Sequence, residues 1–399
     1  MNEKQSIALV NDQLKIRPYV NKSQLKDIAL KCFGFELDEG VEPMEMVSYE
    51  DRNFRIQGRC TGEKVSRCFV MKIFNRGTSN EDTLEHIINL ILYSKSKCSQ
   101  HFAVQTPIPS ISSSDQNMKY ISSYDIPILP NASYDDCTKS SLIEKGLLDI
   151  SPTGQTTCCH NIRLLTYLEG RPPKLSEEKV TDEFAQDWGA TSGRLCNALE
   201  EVPKSEKVDR EKSICNLITV GKYLKSTYLE AVKHAKQKQT FTDIIEKFET
   251  QILPQLEKNV KKSYIHGDIN EVNLLLDSSG KIGGVIDFDD AVWSFSIVDL
   301  AISFMHFSLY LDENAFTHKM KKLYQGYTSA RQITDLERDL LYDITLMSYA
   351  QWSVLASHQY HVLDPGNKYI HDFLQKSWQG LSLLLLMSKD MFLEKVCTQ

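Results

Sequence analysis

The chain of 399 residues is longer than one hydrophobic core usually fills, so two lobes are expected. Its 41% hydrophobic and 25% charged residues are those of an ordinary globular protein and exclude a wholly disordered or collagen-like chain. A formal net charge of -7 argues against sequence-independent nucleic-acid binding, which needs a basic face to displace counterions.

In chain order, residues 21 to 37 read as a helix: Leu25, Ile28, Ala29, Cys32 and Phe33 recur at three and four, and Gly34 is a plausible stop. Val41 to Tyr49, Asn53 to Gly58 and Cys68 to Phe74 are short β-like runs separated by turns, as in an antiparallel meander. Ser79-Asn80-Glu81-Asp82 caps a helix whose apolar stripe is Leu84, Ile87, Ile88, Ile91 and Leu92. Residues 110–155 are rich in Ser, Asp, Thr and Pro and read as an extended, mobile insertion, with a strand at Lys119 to Ser123 and a short helix at Ser140 to Leu148 within it. Asn161 to Leu168 is the last strand, and Glu169-Gly170-Arg171-Pro172-Pro173 is the connector. The domains are therefore expected at 1–168 and 169–399.

Beyond the connector the chain reads as largely helical: Lys179 to Ala198, Ile214 to Lys236, Phe241 to Leu256, Ile297 to Leu311, Phe316 to Tyr327, Asp335 to Tyr360 and Tyr369 to Met387. No internal repeat appears. The expected fold class is α+β and bilobal, a sheet-rich nucleotide-binding lobe and a helical lobe with the active site in the cleft.

Ten cysteines show no metal or redox spacing; Cys158 and Cys159 are adjacent and the rest scattered, so reduced, mostly buried thiols are expected. No apolar signal core follows Met1-Asn2-Glu3-Lys4-Gln5, and Leu383 to Met387 is too short to cross a bilayer. The expectation is a cytosolic protein without a membrane partner, in which the acceptor match Asn131-Ala132-Ser133 has no meaning for glycosylation.

The chemistry is carried by His266-Gly267-Asp268-Ile269-Asn270-Glu271-Val272-Asn273, followed after an apolar run by Asp287-Phe288-Asp289. An aspartate and an asparagine five positions apart, then a second aspartate closing the next apolar segment, is the spacing phosphoryl transfer uses. In that reading Asp268 takes the acceptor hydroxyl's proton, while Asn273 and Asp287 hold Mg2+ against the nucleotide phosphates. Ser263-Tyr264-Ile265 enters the motif, Val272 to Asp277 leaves it, Ser278-Ser279-Gly280-Lys281 turns, and Ile282 to Ile286 returns to Asp287. The loop and hairpin bring Asp268, Asn273 and Asp287 to one end of a small sheet. Either aspartate alone reads as an ordinary turn carboxylate; the three together carry the signal.

Lys72 is the single lysine of the apolar run Cys68 to Ile73 and must turn toward solvent, an edge or a charged partner; in a kinase that partner is the α/β-phosphate. Glu85, on the next helix, is placed to reach back to it. Backbone amides from Thr166 to Leu168 are expected to hydrogen-bond a purine edge, which leaves adenine and guanine undistinguished. No G-x-G-x-x-G loop, activation segment or A-P-E element is present. Ser48-Tyr49-Glu50-Asp51-Arg52-Asn53-Phe54 stands in place of the glycine loop, so phosphate contacts fall to Ser48, Arg52, Asn53 and backbone amides. That absence points to a small-molecule acceptor. Asp289, Asp290 and Glu271 are placed to receive an ammonium group of an amino-alcohol or hydroxyamino acid, and Arg171 or Arg52 its carboxylate. Asp299 reads as a cap of the helix it opens.

With H-G-D-x-x-x-x-N followed by I-D-F-D-D, the chain resembles the aminoglycoside phosphotransferase and choline kinase family, small-molecule kinases with a protein-kinase-like fold. The likeness spans about Leu25 to Leu386, apart from the 110–155 insertion. The S-Y-E-D-R-N-F segment, the run from Arg163 to Pro172 and H-G-D-I-N-E-V-N look most like the hydroxylysine kinase branch of that family. The resemblance implies Asp268 as catalytic base, Asn273 and Asp287 as magnesium ligands, Lys72 as phosphate contact, and GTP as donor with ATP as the alternative. It implies 5-hydroxylysine as acceptor, with choline, ethanolamine, homoserine or an aminoglycoside as alternatives. Asn270, often a histidine in related loops, and Arg52, a neutral side chain in near relatives, depart from the pattern. A rival reading is a nucleotide-binding scaffold that has lost catalysis.

Overall fold

The computed structural model describes residues 18–46, 48, 51–76, 80–111, 119–127, 143–144, 148–150, 156–178, 180–208 and 213–398. Tyr49, Glu50, Ser79, the Asn131-Ala132-Ser133 match and most of the 110–155 insertion lie outside them, including six of the nine residues of the helix expected at Ser140 to Leu148. The chain divides into two compact units, formed by the described residues of Met1–Asn89 with Gln105–Tyr167, and of Leu90–Val104 with Leu168–Gln399.

In the first unit, helix α1 (Lys22–Phe33) opens on a capping box in which the Asn21 side chain accepts from the Gln24 amide and Gln24 accepts from the Asn21 amide. It stops at Gly34, whose φ of 59° is left-handed, and buries Leu25, Ile28, Ala29, Cys32 and Phe33. The helix expected to run to 37 therefore ends four residues early, and Phe35–Leu37 instead forms strand β1. The sheet runs β1, β3 (Arg52–Cys60), β4 (Arg67–Ile73), β8 (Thr156–Thr166), β6 (Ser122–Pro127), with β2 (Met44–Met46) on β3 and β7 (Asp149–Ile150) on β8. All these pairings are antiparallel. Phe54, Ile56, Phe69, Met71, Ile73, Ile162 and Leu164 point to one face and pack with Ile28 and Phe33 of α1. The period of two puts the intervening residues on the opposite face, where Asn53, Lys72 and Arg163 stand in register on three neighbouring strands.

Helix α2 (Glu81–Cys98) is capped by Asn80, whose side chain accepts from the Thr83 amide at 2.8 Å. Strand β8 begins five residues before the Asn161 start read from the sequence, because β6 and β7, both from the polar 110–155 stretch, pair along it. That stretch is thus partly built into the sheet.

In the second unit, α3 (Asp182–Glu200) and α8 (Glu313–Ala330) cross at backbone contact: a Cβ on Gly189 would lie 1.9 Å from the Leu323 carbonyl oxygen. The helix read over 214–236 is broken, with α4 confined to Leu217–Tyr223 and tighter or looser turns continuing to Ala231. Helices α5 (Ala235–Lys247), α6 (Leu253–Asn259), α7 (Ile297–Ser308), α9 (Asp335–His358), α10 (Lys368–Leu386) and α11 (Lys389–Lys395) complete the unit. Every residue of α7 is buried, so it forms the axis on which the others pack. Among the described residues no helix is long and apolar enough to cross a membrane, and no disulfide joins the described cysteines.

Four short strands frame the segment that carries Asp268, Asn273 and Asp287. Strand β9 (Ser263–Ile265) pairs with β12 (Val292–Ser294), and β10 (Leu274–Leu276) pairs with β11 (Ile282–Val285), which also takes β5 (Ala103–Val104) in parallel. Ile265 faces Val292 and Leu274 faces Val285, so the loops 266–273 and 286–291 are joined side by side at both ends.

Candidate active site

The first loop is pinned from beneath. Asp299 of α7 is 1% exposed, and its two carboxylate oxygens accept from the amides of His266 at 2.8 Å and Gly267 at 2.9 Å. His266 ties the two loops together: its Nδ1 accepts from the Asp268 amide at 3.3 Å, which leaves Nε2 protonated to donate to the Ile286 carbonyl at 3.1 Å. The Ile286 amide in turn donates to the Asn273 carbonyl at 3.0 Å. Gly267, at φ 80°, brings the backbone so close to the second loop that a Cβ there would lie 2.4 Å from the Asp290 carbonyl oxygen.

Asp268 is held by two carboxamides. Asn270 Nδ2 donates to its Oδ1 at 2.7 Å and Asn273 Nδ2 to its Oδ2 at 2.8 Å. Asn270 Oδ1 accepts from the amides of Val272 at 3.0 Å and Asn273 at 3.1 Å, closing the loop as an Asx turn. The asparagine that departs from the family pattern thus has a structural role that a sequence cannot display. Burial raises the Asp268 carboxyl well above the usual carboxylate range, the negative charges of Asp290 and Asp287 raise it further, and the two amides oppose them.

Asp287 has φ 65°, and among the described residues it is the only non-glycine with a positive φ. Such strain in an L-residue persists only where the surroundings over-determine it, and here it opens the short turn Phe288–Asp290. Asp289 and Asp290 follow in that turn, half-buried, and Asp290 Oδ1 accepts from the Cys215 thiol at 3.1 Å. The structure therefore brings Asp268, Asn273, Asp287, Asp289 and Asp290 onto two adjoining loops of one unit.

The expected donor-binding residues are a separate group. Lys72 is 5% exposed and lies 5.9 Å from the Phe74 ring, which also carries Arg163 at 5.0 Å. Next to Lys72 across the sheet, Asn53 has a buried Oδ1 without a hydrogen-bond partner. Ser48 is half-buried. Glu85 makes no ion pair or hydrogen bond among the described residues, so the expected Lys72–Glu85 pair is not formed. Two of the amides expected to meet a purine are spent within the fold: that of Thr166 donates to the Thr106 carbonyl at 2.8 Å and that of Tyr167 to the Cys68 carbonyl at 3.3 Å. Leu168, the third residue of that expectation, belongs to the second unit, where its side chain lies over Gly284. Arg52 is engaged by both oxygens of Glu45, and Arg171 by Glu178 at 2.7 Å, so neither is a spare cation.

Asp299 was read as a cap of its own helix; its carboxylate holds the loop 266–273 instead. Only the choice of an acid in the first turn of an otherwise apolar helix hinted at it.

Residues 134–332 match the sequence model of a family described as phosphotransferase enzyme family. A hydroxylysine kinase of Xenopus laevis is 26% identical, the match covering 98% of this chain and 96% of the relative. A hydroxylysine kinase of Mus musculus is 23% identical, covering 94% of this chain and 92% of the relative. Among solved structures, an amicoumacin kinase in complex with AMP-PNP, Ca2+ and Ami superposes with a TM-score of 0.59 at 14% identity, covering 96% of each chain. A microcompartment-associated aminopropanol kinase gives 0.60 at 13% identity, covering 92% of this chain and 97% of its own. At such identities the likeness shows the fold, an α+β kinase-like one with an antiparallel-sheet unit and a largely helical remainder.

Proposed function

The chain carries a domain of the phosphotransferase enzyme family, and from that premise we propose that it moves the γ-phosphoryl group of GTP, or of ATP, to the hydroxyl of 5-hydroxylysine. The phosphotransferase class rests on the family match and on relatives named hydroxylysine kinases along nearly the whole chain. The observation that carries the mechanism is the Asp268 carboxylate, fixed at both oxygens by Asn270 and Asn273 on a loop anchored by Asp299. In the reaction the acceptor oxygen forms a bond to the γ-phosphorus as the bond to the β-phosphate oxygen breaks. The hydroxyl proton passes to Asp268 and the nucleoside diphosphate leaves. A base whose proton affinity is raised by burial and by neighbouring carboxylates suits that task.

The same carboxylates favour a divalent cation. Asp287 and Asp290 crowd Asp268 with like charge, and the only uncharged member, Asn273, has its amide nitrogen occupied by Asp268, leaving its carbonyl oxygen to face a ligand. Hard oxygen donors of this kind suit Mg2+. In this reading Asp287 and Asn273 hold the ion, which supplies charge neutralisation for the phosphates when bound. Lys72, Ser48 and Asn53 are the proposed donor contacts on the sheet unit; Asp289 and Asp290 adjoin the acceptor.

The test is a transfer assay with 5-hydroxylysine, choline, ethanolamine, homoserine and an aminoglycoside, each with GTP and ATP. Transfer is expected to be fastest to 5-hydroxylysine, and Asp268→Asn should reduce turnover about 10²–10⁴-fold with nucleotide affinity nearly unchanged. Magnesium-dependent nucleotide binding without transfer to any acceptor would instead identify an inactive scaffold.

A further inference from the structure

Three positions after Asp268, the loop buries a second acid that the transfer step does not use. Glu271 is 6% exposed. Its Oε1 accepts from the Tyr310 hydroxyl at 2.7 Å, while Oε2 is buried with no hydrogen-bond partner. The nearest basic group to Oε2 is His306 Nδ1 of α7, 3.8 Å away, and the other ring nitrogen of His306 is also buried without a partner. Trp352 of α9 and Phe373 of α10 flank the imidazole, each with ring centroids 6.1 Å away, and the Trp352 indole N–H is a third buried polar atom without a partner. Three unpartnered polar groups converging from a loop and two helices are the arrangement expected of a site built for something else.

The charge balance indicates what that is. Burial pushes the His306 imidazole toward its neutral form, against the pull of Glu271, so the ring does not compensate the carboxylate. An uncompensated buried acid is costly unless a cation joins it. The Tyr310 ring that braces Glu271 carries Lys376 over its face, with Nζ 4.5 Å from the centroid and 3.0 Å from Ser176 Oγ. Among the described residues Lys376 has no carboxylate partner. A negative group at the hydroxyl end of one aromatic ring and a positive group over its face complement a zwitterion. They do not complement a carboxyl-free amine.

We propose that Glu271, braced by Tyr310 and walled by His306 and Trp352, seats the ammonium group of the acceptor, and that Lys376 takes its carboxylate, so the enzyme selects a hydroxylated amino acid over a simple amino alcohol. The inference rests on the phosphotransferase reading above and names the acceptor class for that same site. Asp289 and Asp290, on the neighbouring loop, are then not the ammonium seat.

Two readouts separate the inference from the reading beneath it: calorimetric binding of 5-hydroxylysine in the presence of a non-hydrolysable nucleotide, and phosphoryl transfer. Glu271→Gln should weaken acceptor binding about 10–100-fold, the worth of one charge-assisted buried contact, with the rise appearing in KM more than in kcat. Lys376→Met, at a half-exposed position that folding tolerates, should raise KM for the amino acid and leave KM for its decarboxylated analogue unchanged. Equal 5-hydroxylysine affinity in wild type and Glu271→Gln overturns the seat even if transfer proceeds. Glu271-dependent binding with no transfer overturns the kinase reading and leaves the seat standing. Equal effects of Lys376→Met on both acceptors refute its role.

Discussion

Replacing Asp299 with alanine tests whether the loop that carries Asp268 is held by one carboxylate. The side chain accepts two backbone amides, His266 at 2.8 Å and Gly267 at 2.9 Å, at a site 1% exposed to solvent. A hydrogen bond to a charged group contributes about 1.5–3 kcal/mol, and a buried amide left without a partner costs a similar amount. Two such amides put the loss for Asp299→Ala at about 3–6 kcal/mol, a large part of the roughly 5–15 kcal/mol that holds a typical protein together. Asp299→Asn keeps one acceptor but turns an NH2 toward the second amide, so about half that loss is expected. Because the same amides flank Asp268, turnover should fall in both variants by more than nucleotide affinity does. Guanidinium unfolding of the two variants, read beside their transfer rates, measures both effects. A stability loss below about 1 kcal/mol with full turnover in Asp299→Ala would refute the anchoring argument, and a large loss in Ala beside none in the equally bulky Asn would show that cavity formation, not hydrogen bonding, is the cause.

Asp287→Ala should weaken magnesium-nucleotide binding at least tenfold while removing one of the charges that raise the Asp268 carboxyl; titration calorimetry with and without magnesium checks it, and unchanged affinity would remove Asp287 from the cation site. Gly267→Ala forces an L-residue to φ 80° and sets a methyl against the Asp290 carbonyl, so about 2–4 kcal/mol of stability and most of the turnover should be lost; an alanine variant with wild-type melting and rate would contradict the close approach. Burial lowers the His160 pKa from 6.5 to about 4, against its hydrogen bond to the Phe74 carbonyl. The unfolded chain therefore binds this proton first on acidification: the contribution is complete above pH 6.5 and falls away toward pH 4, by roughly 3 kcal/mol in all. Denaturation midpoints of wild type should drop over that window more steeply than those of His160→Gln, and parallel curves would show that His160 does not carry the effect.

What the sequence displayed and what it concealed divide along a physical line. Period and capping are local, so α1, the stripe of α2 and the alternation that turns Lys72 away from Phe69, Met71 and Ile73 could all be read from residue order. The partner of a strand is not local. β8 grew by five residues at its start because its neighbours lie in a polar stretch with no apolar run to announce them. Side-chain bonds to backbone amides are invisible for the same reason, since every residue type presents the same N–H. Asp299 was therefore misread as a helix cap, and the hold of Asn270 on the loop went unseen. Glu85 failed in the opposite sense: position on the helix suggested a reach to Lys72 that the side chain does not make.

The arrangement of the two loops explains why the motif tolerates so much like charge. Left to themselves, Asp268, Asp287 and Asp290 would separate, because carboxylates in a poorly solvated site repel and favour protonation. They are prevented from separating by strand pairs at both ends of both loops, by His266 bridging to Ile286, and by the wholly buried helix α7, which supplies Asp299 from below. None of those restraints uses the carboxylates' own charge, so the backbone alone keeps the three acids together, and under the proposed function a divalent cation would lower their mutual repulsion. The one strained L-residue among those described, Asp287, stands where that repulsion and that cation would meet.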